Sequence, residues 1–368
     1  MREPTGSEAS GAQGFARPAL SATQTETERQ WLLLAYAAVA LLSLAAFLTL
    51  FWFRAHDDNR LTSWRWVFVD ADVFWIAPIL AAGLLLAVIL AKAPFPGRWP
   101  AGVLFVCAFA AAALSWGEPE VIVDASRYFT QAKHIELYGL EYFMREWGGQ
   151  IAAWTDLPLV PLLYGLIFSL AGENRIYIQV FTTLLFSASV VLTYLIGRTL
   201  WDAATGLCAG ALLLGMPYLL TQVPLMLVDV PAMFLITFAA FAAIKALKLG
   251  GAGWIAAAAA ALTLALLSKY SAWLMLTVLI PVCVVFAGDT PHAASRRAIV
   301  IVGLTAAALL GLSLFATHDV VIAQLRLLWD YQRPGLGRWH ESLVSIFLFQ
   351  IHPFITAAAA YSLYAAIR

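Results

Sequence analysis

Charge is scarce in this chain. Only 12% of its 368 residues are Asp, Glu, Lys or Arg, while 62% are hydrophobic. Soluble domains carry about a quarter charged residues, so a soluble globular protein is excluded and a polytopic membrane protein is what fits. No sign of charge is in excess either: Lys+Arg and Asp+Glu are 22 each. That balance removes the basic surface that nucleic acid requires. Cysteine is sparse and odd in number, with Cys107, Cys208 and Cys283 each inside an apolar run. Neither a disulfide framework nor a metal-ligand spacing can be built from them, and buried unpaired thiols are expected. Also missing are GxxxxGK[ST] and a GxGxxG following a strand, so no nucleotide-binding fingerprint is present. The two long loops between apolar runs hold no His-x-x-x-His and no paired Asp-x-Asp; no metal and no other cofactor is expected.

What the chain has in abundance is long apolar runs. Residues 1–28 lack one and are rich in Ser, Thr, Gly, Ala and Glu, which predicts a disordered tail. The first run opens at Trp31, too late and too long for a signal peptide, and reads as a retained anchor. A helix crossing a bilayer core needs about 20 apolar residues. By that ruler the predicted spans are 31–53, 72–91, 100–116, 176–196, 203–220, 230–247, 252–267, 271–287, 298–316 and 343–366. The expected fold is therefore all-α: a polytopic membrane protein of about 10 transmembrane helices.

One run, 157–171 (LPLVPLLYGLIFSLA), is short, carries two prolines and is flanked by Asp156 and by Glu173, Asn174 and Arg175. Short cytoplasmic loops collect Lys and Arg. If 157–171 does not cross, the loops with Lys92 and Arg98, Arg198, Lys245 and Lys248, and Arg296 and Arg297 all fall on the side of the N-terminal tail. If it crosses, the last three sets change sides. An interfacial or re-entrant segment is the expectation. It places 117–175, 221–229, Lys269 and 317–342 together on the non-cytoplasmic face. The loops 117–175 and 317–342 are long and full of Trp, Tyr, Asp, Arg and His, and loops of such length are usually functional.

Within the first of them, VIVDASRYFTQAK places Asp124, Arg127, Tyr128, Gln131 and Ile135 at i, i+3, i+4, i+7 and i+11, one face of a helix. By spacing alone this is either a functional row or a solvated amphipathic helix whose Asp124 and Arg127 pair with each other. After it come a Gly-containing aromatic segment (Tyr138, Gly139, Tyr142, Trp147), then Trp154 and DLPLVPLLYGLIFSLAGENR. A helix ending LIGRTLW, a helix bearing Pro217 and the stretch LMLVDVPAMF with Asp229 follow.

This ordered series, over about 117–290, resembles the GT-C glycosyltransferases, in particular the bacterial group related to protein O-mannosyltransferases and to the lipid A aminoarabinose transferase. The resemblance implies a GT-C domain over 100–368, with 117–175 its first catalytic outer loop and 317–342 its late outer loop. Residues 29–99 would then be additional N-terminal helices. It implies a polyprenyl-phosphate-sugar donor, a lipid, glycan or protein acceptor, the lipid bilayer as surroundings, and no nucleic acid. The place of action would be the outer, periplasmic or extracellular side of a bacterial cytoplasmic membrane. Residue by residue, Asp124 matches a general base that takes the proton of an acceptor hydroxyl, and Asp229 matches a second acidic position. Arg127, beside Tyr128, matches a cation for the donor phosphate. Lys269 falls where relatives often carry a Lys and is either a second phosphate contact or a residue snorkelling to the interface. Arg333, Arg338 and His340 of the late loop are expected to grip sugar and phosphate. Two departures stand out: the Glu that commonly follows the first Asp is Ala125, and Asp156 stands where relatives have Lys or His. Ending at Arg368 with fewer spans than many relatives, the chain reads as a compact member or a piece of a longer one.

The competing expectations are a transporter, which would show ionisable groups at mid-membrane and two related halves, and a noncatalytic membrane scaffold. The clustering of charge at one face of the membrane favours the transferase.

Overall fold

A computed structural model describes residues 99–117, 120, 122–214, 217–280, 291–315 and 318–332. All of them lie in one unit, Asp72–Ser342. The expected tail, the spans 31–53, 72–91 and 343–366, Cys283, and Arg333, Arg338 and His340 lie outside the described residues.

The described residues are helical, with no strand beyond a single bridge between Trp147 and Ile151. In chain order the helices are α1 (Pro100–Ala113), α2 (Val123–Glu146), α3 (Leu159–Ala171), α4 (Arg175–Leu200), α5 (Ala203–Leu214), α6 (Pro217–Gln222), α7 (Asp229–Leu249), α8 (Ala252–Ser268), α9 (Tyr270–Met275), α10 (Pro291–Phe315) and α11 (His318–Gln332). A 3-10 turn, Leu276–Val278, extends α9. Among the described residues, three helices have stretches long and apolar enough to cross a membrane: Arg175–Leu200, Asp229–Leu249 and His292–Leu312. The runs Pro100–Ala113, Leu159–Ala171, Ala203–Leu214 and Ala252–Ser268 form shorter apolar helices. The expected span 203–220 holds two helices, α5 and α6. Cys107 and Cys208 are free thiols, but the first is exposed and the second only half-buried, not buried as expected.

The ends of these helices sort the charges. Lys248 Nζ donates to the Thr199 carbonyl at 2.8 Å, and Arg297 Nη1 donates to the Leu247 carbonyl at 2.7 Å. The C-terminal ends of α4 and α7 and the start of α10 therefore meet at one end of the bundle. At the opposite end lie the starts of α4, α7 and α9. The Asn174 side chain caps α4 there by accepting the Ile176 N–H at 3.1 Å, which satisfies one of its orphan amide groups.

Both flanks of α3 sit at that second end. Before it, Asp156 pairs with Arg127. After it, Glu173 pairs with Lys133, and Arg175 lies 3.4 Å from Glu120. Glu120 in turn accepts the backbone N–H of Met226, just before α7. So α3 begins and ends at the same end and does not traverse the bundle.

Its partner is α2. Ala125, Tyr128 and Ala132 of α2 bury against Val160, Tyr164 and Phe168 of α3, together with the 225–228 segment. The helices come close at Gly165, where an added Cβ would lie 2.7 Å from the Ala132 carbonyl and 2.6 Å from Ile135 Cδ1. Only a residue without a side chain fits there. The expected single polar row of α2 is thus divided: Tyr128, Gln131 and Ile135 turn inward, while Asp124 and Arg127 stay partly open to solvent. Gly139, at φ 84, then breaks the helix into two segments, a backbone conformation that costs glycine nothing.

Candidate functional site

Asp156 is the centre of the site. It follows a tight turn in which its N–H donates to the Ala153 carbonyl at 2.8 Å and Trp154 adopts a positive φ of 48°. This places a carboxylate, 7% exposed, against α2. Arg127 meets it with Nη2 donating to Oδ1 at 3.1 Å, and its Nε lies 2.8 Å from Oδ2 as an ion-pair contact without a hydrogen bond. Gln131, one turn on, donates to Oδ2 at 3.1 Å and also to the Ala152 carbonyl at 3.0 Å. From the other side, α11 supplies Gln324, whose Nε2 donates to the Asp156 backbone carbonyl at 2.7 Å.

Arg127 also faces Asp124, with Nη2 3.3 Å from Oδ1, and Nη2 donates to the Tyr128 hydroxyl at 3.2 Å. One cation therefore bridges a buried carboxylate and an open one, since the Asp124 side chain is 55% exposed. Burial pushes the Asp156 carboxyl above the ordinary aspartate value even though Arg127 pulls it down. Burial, with Asp156 nearby, likewise pushes the Tyr128 hydroxyl well up, so it stays a neutral phenol at physiological pH. Burial works against the charge on Arg127, but Tyr128, Asp156 and Asp124 together hold its pKa above the usual value.

Across from this group, Lys269 Nζ donates to Asp229 Oδ1 at 2.6 Å. The first sits between α8 and α9, and the second opens α7. The backbone leading to Asp229 is held by the Tyr164 hydroxyl, which donates to the Leu227 carbonyl at 2.6 Å. Lys269 is 36% exposed and Asp229 53%, so this pair is far more open than Arg127–Asp156.

Two cavities meet at the Lys269–Asp229 pair. A polar chamber of about 240 Å³ is walled by Asp124, Arg127, Tyr128, Asp156 and Ser268, with Leu328 of α11 opposite. A larger cavity of about 510 Å³ is mainly apolar, walled by Ile122, Leu219, Val230, Met233, Ile236 and Met275. Asp124, Asp229, Lys269 and Ser271 line both. The pattern is a small charged compartment beside an oily one, with two carboxylates and a lysine in the wall they share. Among the described residues no three His, Cys, Asp or Glu side chains gather as a metal site requires.

Of the residues expected from sequence, Asp124, Arg127, Tyr128, Asp156, Asp229 and Lys269 all line the polar chamber. Sequence reasoning missed Gln324 and Tyr270. The signal for Gln324 was faint: a lone amide on a helix face shared with Val320 and Leu328, at i, i+4 and i+8.

Residues 156–319 match the model of the dolichyl-phosphate-mannose-protein mannosyltransferase family, so this segment is identified as a GT-C superfamily domain. The match supports a membrane glycosyltransferase that draws on a lipid-linked sugar donor. It includes Asp156, Asp229 and Lys269, and it stops short of Asp124, Arg127 and Gln324. No curated protein matches the chain.

Proposed function

We propose, with the GT-C identity of 156–319 as premise, that this chain is an inverting glycosyltransferase. It moves one sugar from a polyprenyl phosphate to an acceptor hydroxyl at the outer face of a bacterial cytoplasmic membrane. The observation that carries the reading is the pair of joined cavities. A polyprenyl chain suits the apolar compartment, the phosphate suits the junction, and the sugar suits the polar chamber. At about 240 Å³ that chamber falls below the roughly 300–1,000 Å³ of pockets for drug-sized ligands, which suits a single sugar ring. The mannosyl donor in the family's name makes a hexose the first sugar to test.

The two ion pairs then take different roles. Arg127 is engaged by Asp156 through two of its nitrogens, so it serves first to hold Asp124 in place. Lys269 has a single open partner, and it becomes the phosphate cation when the donor displaces Asp229. Displacement is feasible because exposed pairs contribute only about 0–1 kcal/mol. Asp124 is the base. It removes the proton of the acceptor hydroxyl as that oxygen attacks the anomeric carbon from the face opposite the phosphate. The bond from the anomeric carbon to the phosphate oxygen breaks, its electron pair stays on that oxygen, and polyprenyl phosphate leaves. Lys269 stabilises the growing negative charge, which is greater in the transition state than in the bound donor. Asp229, freed from Lys269, faces the acceptor or the sugar. In the late outer loop, Arg333, Arg338 and His340 are proposed as further contacts to the donor.

About ten spans, with 157–171 lying in the interface, remain the proposed topology. It is supported by the return of both α3 flanks to the end that carries the site, and by the placement of Lys248 and Arg297 at the other. The test is transfer of radiolabelled hexose from polyprenyl phosphate in membranes holding wild type or Asp124→Asn. Transfer by wild type and its loss in the variant support the reading. Undiminished transfer by Asp124→Asn would overturn the base assignment. No transfer from any polyprenyl-phosphate sugar would return the chain to the scaffold reading.

A further inference from the structure

The helix α11 lies outside the matched family segment but for its first two residues, yet it closes one side of the polar chamber. Three of its residues, spaced by four, face inward. Val320 fills the space over Gly148, where an added Cβ would come within 2.2 Å of its Cγ1. Gln324 is 5% exposed and bonded at both ends of its amide: Nε2 donates to the Asp156 carbonyl at 2.7 Å, and Oε1 accepts the Tyr270 hydroxyl at 2.9 Å. Leu328 lines the chamber itself. The outward face, with Ile322, Leu325 and Trp329, is exposed. Among the described contacts, then, the polar hold on this helix is one amide joining two separate parts of the site: the loop that carries Asp156 and the helix that follows Lys269.

We propose that Gln324 is the positioning residue of the site. It docks α11 as the back wall of the chamber and fixes the Asp156 loop, and through Asp156 the direction of Arg127 toward Asp124. Two consequences follow. The chamber is a dead end on the α11 side, so the donor reaches it from the apolar cavity. The acceptor enters past Asp124, the most exposed of the chamber's three carboxylates. The amide is chemically specific here. A donor must face a backbone carbonyl while an acceptor faces a phenol, and of the side chains of this size only glutamine offers both. Glutamate keeps the acceptor but sets a second acceptor against the Asp156 carbonyl.

The functional part of this inference rests on the transferase reading, so its test separates the two. Hydrogen–deuterium exchange on the full-length detergent-solubilised protein reads the docking without substrate. Gln324→Ala and Gln324→Glu are each expected to speed exchange of the α11 amides and of 152–157 by about tenfold, the loss expected from one or two buried hydrogen bonds. Tyr270→Phe gives a smaller increase, and α4 and α7 stay at wild-type protection. Unchanged exchange in α11, or wild-type protection in Gln324→Glu, overturns the proposal. The second readout is kinetic. If docking sets the fraction of closed chambers, a tenfold fall in that fraction raises the apparent donor KM by about tenfold and leaves kcat nearly unchanged. A purely structural loss removes active molecules instead, lowering kcat at constant KM, and that result overturns the positioning role. If exchange responds as expected but wild type transfers no sugar from any lipid phosphate, the docking stands and the transferase reading falls.

Discussion

Two ion pairs face one chamber, and they are built in opposite ways. Arg127–Asp156 is buried on the carboxylate side, in contact through two guanidinium nitrogens, and backed by Gln131 and Gln324. Lys269–Asp229 is a single contact between two half-open side chains. A buried pair backed by further hydrogen bonds is a brace, because separating it strands a desolvated charge. An exposed pair can be exchanged for a ligand at small cost. On the proposed transferase reading, the difference teaches which cation is free to meet a phosphate. The residue expected to clamp it, Arg127, is the occupied one, and Lys269 is available. Asp156, an acid where the resemblance implies Lys or His, has a matching physical account: its carboxylate holds Arg127.

The largest expected effect comes from the carboxylate that shares Arg127 but stays open. Asp124→Asn should lower the rate of sugar transfer by about 10²–10⁴, the range of general base catalysis, while thermal unfolding of the purified protein barely moves. The comparison itself is broken most directly by Asp156→Ala against Asp229→Ala. The first leaves Arg127 and Gln131 short of acceptors and should cost about 1–3 kcal/mol, read as a lowered unfolding temperature with impaired transfer. The second should leave that temperature within about 1 °C, since an exposed pair contributes little.

Lys269→Ala is expected to act on the donor, raising its KM by about tenfold, with Lys269→Arg recovering most of the affinity; equal donor KM in all three proteins would remove Lys269 from the phosphate site.

The smallest effect is in pH. The Asp156 carboxyl is raised in the folded protein, so its contribution to stability is full below the ordinary aspartate pKa and is lost as pH rises through the folded value. Wild type should therefore lose a little stability across that window on going from acid toward neutral, and Asp156→Asn should lack this loss. Unfolding temperatures of the two proteins measured at several pH values test it, and parallel curves would show that Arg127 offsets burial in full.

Much of the fold was legible in the chain because lipid imposes strong rules. Helices in a bilayer must be apolar and about 20 residues long, so α4, α7 and α10 follow from composition alone. The short helix α3 was visible in the length of its apolar run and its charged flanks, Asp156 and Glu173. The row of α2 was legible as a helix, since spacing reports period. Its division was not: that depends on Gly165 letting α3 approach Ala132 and Ile135, which turns Tyr128 and Gln131 inward. Gln324 was nearly invisible, because a single amide carries no pattern until its partners at 156 and 270 are brought to it.

The sequence by itself determined a helical chain of membrane character, because so few charges among so many long apolar runs suit lipid and not water. It also named Asp124, Arg127, Asp156, Asp229 and Lys269. Only the tertiary structure decided which of these charges are spent on one another and which stay open. That is a matter of distance and burial, and residues up to 168 positions apart in the chain, such as Asp156 and Gln324, acquire a distance only when the chain has folded.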